Sequence, residues 1–137
     1  MLSASSWWLP TFGRRLVSFE MSVELPEAWD AVSQGGRTLH EIRDGRRHVS
    51  WTSPEPMDDV YLIAARFVEY SRPAGEVTAY AYLREAEPNI ASKYLEATVQ
   101  YIEMYRKMIG PYPYDKFALV ENFWDTGYGM QIGRAHV

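Results

Sequence analysis

Three groups of residues in this 137-residue chain have the types and spacing to do chemistry. His40 and His48 are the first, because neutral imidazoles are common ligands of transition metals. Glu121 and Asp125 are the second; they flank Asn122-Phe123-Trp124. Paired carboxylates carry out acid–base work when their surroundings push their pKa values apart. The third is Gly127-Tyr128-Gly129-Met130. Glycines on either side of a tyrosine permit positive φ or close approach of backbone to a ligand; a plain turn is the other reading of the same residues. Asp58-Asp59 reads as solvated loop charge. There is no cysteine, so neither a disulfide framework nor a thiolate metal site exists here. No H-E-x-x-H is present either, the arrangement that puts two zinc-binding imidazoles one helical turn apart with a glutamate as base.

The elements that must position these residues follow from periodicity. Val17, Phe19, Met21, Val23 and Leu25 alternate with Ser18, Glu20, Ser22 and Glu24, the pattern of a strand with one wet face, ended by Pro26. Ala31–Gly36 reads as a turn. Asp44-Gly45 lies between two strand-like runs, Arg37–Arg43 and Arg46–Trp51, and signals a two-residue hairpin. That register pairs Arg43 with Arg46, Glu41 with His48 and His40 with Val49. Thr38, His40, Ile42, Val49 and Trp51 then share the more apolar face. His40 and His48 fall on opposite faces, so each is expected to be structural and not to share a metal.

Val60–Tyr70 is nearly continuous apolar and suits one strand covered on both sides. A turn at Pro73-Ala74-Gly75 leads into a further alternating run, Val77–Leu83. At Glu85 the period changes. Pro88 suits a first helical position, and Ile90, Tyr94, Ala97, Tyr101, Met104 and Met108 form a stripe opposite Lys93, Glu96, Gln100, Glu103 and Lys107. Gly110 and Pro111 end this helix. A rigid Pro-Tyr-Pro turn, a short buried strand at Phe117–Glu121 and the glycine-aromatic loop complete the run.

Bulk composition narrows the function classes. Aromatic residues make up 15% of the chain, enough for a packed core. The net charge of −4 gives no reason to expect a nucleic-acid partner. No apolar run approaches the roughly 20 residues that span a bilayer. The N-terminus is unlike a signal peptide, since Arg14 and Arg15 follow its apolar part and Pro10 interrupts it. Compartment, membrane anchoring and oligomeric state are left open.

The order of elements from Tyr101 to Met130 resembles the entry into the catalytic domain of zinc aminopeptidases of the aminopeptidase N and leukotriene hydrolase type, the gluzincin metallopeptidases. The resemblance covers nearly all of Ser5–Met130. Trp7-Trp8-Leu9-Pro10, Phe19–Pro26 and Val60–Tyr70 look like successive parts of that family's N-terminal β-domain. Pro88–Ile109 looks like the first helix of the catalytic domain, and Gly129-Met130 stands where Gly-Ala-Met stands in the family's Gly-Ala-Met-Glu-Asn loop. The implied fold is part of an antiparallel β-sandwich domain, residues 1–86, followed by the first helix, strand and loop of a thermolysin-like domain, residues 87–131.

The implied activity of the intact protein is zinc-dependent hydrolysis of N-terminal peptide bonds. Zinc would be held by two histidines and a glutamate, a further glutamate would act as base, and a tyrosine would stabilise the oxyanion. None of these maps onto a residue of this chain, which is expected to bind no zinc and to be inactive as a fragment. Its contribution is substrate binding, through Gly127, Tyr128, Gly129 and Met130 along a peptide. Two departures stand out: Gly129 replaces the alanine before Met130, and Gln131 replaces the glutamate that would anchor an α-ammonium.

Residues 132–137, IGRAHV, match one frame of a common sequencing-library adapter, AG-ATC-GGA-AGA-GCA-CAC-GTC. They are read as artefact and Gln131 as partly so, which leaves the parent's residue there open; His136 falls in this tail. The competing reading is a non-catalytic β-sandwich module that binds peptide or sugar through exposed Trp and Tyr.

Overall fold

The computed structural model of the chain describes residues 1–3, 6–10, 13 and 15–122. The described residues form mostly antiparallel β-sheet with one helix after the strands. They group into two compact units that divide between Arg66 and Phe67. The helix therefore packs with the two strands just before it, ahead of the change of period at Glu85.

In the first unit, β1 (Val17–Pro26), β3 (Gly36–Arg43) and β4 (Arg46–Met57) form an antiparallel sheet in the order β1-β4-β3. Exposure along β1 alternates as the sequence does from Phe19 to Leu25. Val17 departs from it: the register shifts between Val17 and Phe19, and Val17 is exposed. The β3–β4 hairpin has the expected pairs, Arg43 with Arg46, Glu41 with His48 and His40 with Val49. Asp44 and Gly45 both take positive φ, 53° and 72°, as a type I′ turn requires.

A bulge between Arg37 and Leu39 corrects the expected face of Thr38. Arg37, not Thr38, is opposite Trp51, and its guanidinium lies 5.9 Å from the centre of the indole. The Ala31–Gly36 turn is also shorter than expected. Asp30–Val32 is a buried strand, β2, paired with β5 (Ile63–Ala65). Three residues are too few to show a period, so the strand was hidden by its neighbouring glycines.

Val60–Tyr70 is not one strand. It breaks at the exposed Arg66, and the chain passes from β5 to β6 (Val68–Ala74). In the second unit, β6 and β7 (Val77–Leu83) form a hairpin closed by Gly75, φ 70°. Pro73 is tolerated because β6 is an edge strand. β8 (Lys116–Val120) then pairs with β7 in parallel. A parallel pair needs a long crossover, and α1 (Pro88–Met108) supplies it, with proline in its first turn and Arg106 and Lys107 in its last.

The face of α1 against the sheet is not the stripe read from the sequence. Ala91, Leu95, Thr98 and Ile102 are buried, with Leu95 against Ala79 and Ala81 of β7. Ile90, Tyr94, Tyr101, Met104 and Met108 are exposed. Apolar residues occupy about half the circumference of α1, and the sheet covers the sector beside the stripe.

Candidate functional site

β8 is the last described strand before residues 127–130 in the chain. Its register is set at the start by Thr78 N–H donating to the Asp115 carbonyl at 2.8 Å, and at the end by Glu121 N–H donating to the Tyr82 carbonyl at 2.9 Å. Along its length Ala79 pairs with Phe117 and Ala81 with Leu119. Gly127, Tyr128, Gly129 and Met130, the residues expected to line a bound peptide, lie outside the described residues, as does Asp125.

Glu121 has a structural task. Its Oε2 accepts a 2.7 Å hydrogen bond from the Arg84 backbone N–H, which holds the exit from β7 beside the end of β8. The acid–base reading of Glu121 with Asp125 therefore has no described geometry behind it.

The Pro-Tyr-Pro turn joins α1 to β8 through an aromatic cluster. The Tyr112 ring meets Tyr105 edge-on at 5.7 Å, Tyr114 at 5.7 Å and Phe117 at 6.1 Å. Burial, followed by the neighbouring Tyr114, Tyr105 and Tyr101 phenols, pushes Tyr112 up to about 12. The neutral phenol is thus the form that fits the fold. Between the ordinary value of 10.0 and about 12 the unfolded chain ionises and the folded chain does not. Stability contributed by Tyr112 is full below pH 10 and is lost as pH rises through about 12. A spectrophotometric titration at 295 nm should show a late-ionising tyrosine that disappears in Tyr112→Phe. An unchanged titration curve in that variant would contradict the assignment.

The histidines behave as the hairpin register implies. His40 Nε2 lies 2.7 Å from Asp30 Oδ2, and the buried Asp30 also accepts the Ala31 N–H through Oδ1 at 2.8 Å. This pair ties β3 to β2. His48 projects from the other face of the sheet, opposite Glu24 on β1 and Glu41 on β3. Asp59 is not plain solvated charge: its Oδ1 accepts the Val60 N–H at 2.8 Å, while Asp58 is exposed.

Sequence reading missed the buried polar knot beside β2. Gln34 donates from Nε2 to the Asp59 carbonyl at 2.8 Å and accepts the Tyr61 N–H at 3.0 Å, and Ser33 Oγ donates to the Tyr61 carbonyl at 2.7 Å. The knot is a fastening of the loop. Among the described residues no group of three or more His, Cys, Asp or Glu side chains could hold a metal ion. No helix of the described residues is long and apolar enough to cross a membrane.

No protein-family model matches the chain, and no curated protein does. Solved structures do. The M1 zinc metallopeptidase from Deinococcus radiodurans is similar over 75% of this chain and 25% of its own, with a TM-score of 0.60 and 19% identity. A variant of an M1 zinc metallopeptidase from that organism bound to Tyr-Ser-Ala substrate matches at TM-score 0.52 and 18% identity, over 75% of this chain and 26% of its own. A two-domain M1 zinc metallopeptidase variant bound to L-arginine matches at TM-score 0.59 and 19% identity, with the same coverage. The chain thus spans about a quarter of the length of these structures. They share its fold, an antiparallel β region followed by a helix.

Proposed function

We propose that this chain is part of a zinc-dependent metallopeptidase of aminopeptidase-like, gluzincin type, running from the end of its β-domain into the start of its catalytic domain. In this reading residues 1–86 belong to the β-domain, residues 87–131 begin the catalytic domain, and residues 132–137 derive from adapter sequence. The observation that carries the proposal is the fold similarity to M1 zinc metallopeptidases across the β-strands and the helix that follows. The order of α1 followed by β8 supports it, since the reading calls for a helix and then a strand ahead of residues 127–130.

The substrate of the intact protein is a peptide, and Gly127, Tyr128, Gly129 and Met130 form the wall along it. The described residues do not fit a zinc site. His40 is engaged by Asp30, and His48 lies on the opposite face of the sheet. In this reading the zinc ligands belong to other parts of the intact protein, and this chain alone is inactive toward peptides.

The experiment is to sequence the gene beyond the codon for Met130. An in-frame H-E-x-x-H within several dozen residues, followed by a later glutamate, is the expected result. The longer product should then hydrolyse aminoacyl-p-nitroanilides with zinc. A stop codon directly after Met130, or a long open frame without paired histidines, overturns the reading.

A further inference from the structure

We draw no further inference here: the strongest candidate, the exposed apolar face of α1 that carries Ile90, Tyr94, Tyr101, Met104 and Met108, gives no sign of its occupant, because nothing among the described residues shows what covers it.

Discussion

Gly35→Ala should destabilise the first unit by about 2–5 kcal/mol, the sum of a backbone and a packing penalty. Gly35 has φ 74°, a region that costs an alanine roughly 1–2 kcal/mol. An added Cβ would also overlap the Thr52 carbonyl and the Ser53 Cα. Both obstacles are backbone of β4, so no side chain can swing aside. The approach is close because the loop is held from two sides. Ser33 and Gln34 are fastened to Tyr61 and Asp59, and β3 begins its ladder at Gly36 opposite Thr52. A unit of this size has a total stability of about 3–9 kcal/mol at 0.05–0.15 per residue, so the substitution removes most of it. Gly45→Ala is the control. Gly45 has φ 72° and open space around its Cβ, so it carries the backbone penalty alone. Urea unfolding followed by far-ultraviolet circular dichroism measures both. Equal losses in the two variants would show that the contact with β4 is yielding.

What was legible in the sequence had a local cause. The Asp44-Gly45 hairpin could be registered because the turn type fixes which residues face each other, and Arg43–Arg46 through His40–Val49 pair as that geometry demands. The limits of α1 were equally local, set by Pro88 and Gly110. What was missed depends on partners distant in the chain. The bulge at Thr38 is invisible in an alternating run. β2 is a strand only because β5 lies beside it. Val60–Tyr70 reads as one strand because hydrophobicity does not record that β5 and β6 pair with different neighbours.

The helix shows the same limit. Its composition marks half the circumference as apolar, and the larger side chains drew the stripe toward Tyr94 and Tyr101. The sheet instead meets Ala91, Leu95 and Thr98, because the small Ala79 and Ala81 let that sector come close. Of the candidate residues, Glu121 was legible by position, but the sequence does not reveal that the Arg84 amide uses its carboxylate.

Trp51→Ala should cost about 3–5 kcal/mol, the range for deleting a large buried aromatic. Trp51 is 1% exposed and packs with Val49 and Ala31, bordered by Leu25, Leu62 and Ala64. Its indole Nε1–H donates to the Ala31 carbonyl at 3.1 Å, so the same side chain fills the core and secures β2 to β4. Trp51→Phe separates the two contributions. It keeps most of the volume but leaves the Ala31 carbonyl short of its donor, a loss of about 1–3 kcal/mol. Stability should therefore fall in the order Trp, Phe, Ala, with the alanine variant near the total available to the unit. Amide hydrogen exchange read segment by segment is the suitable measurement. Protection should be lost in β1 to β5 and kept in β6, β7 and α1, whose core is built from Ala79, Ala81 and Leu95 with Tyr70 and Val99. Simultaneous loss in both groups would mean that the two packing units unfold as one, and Trp51 would then be a keystone of the entire described chain.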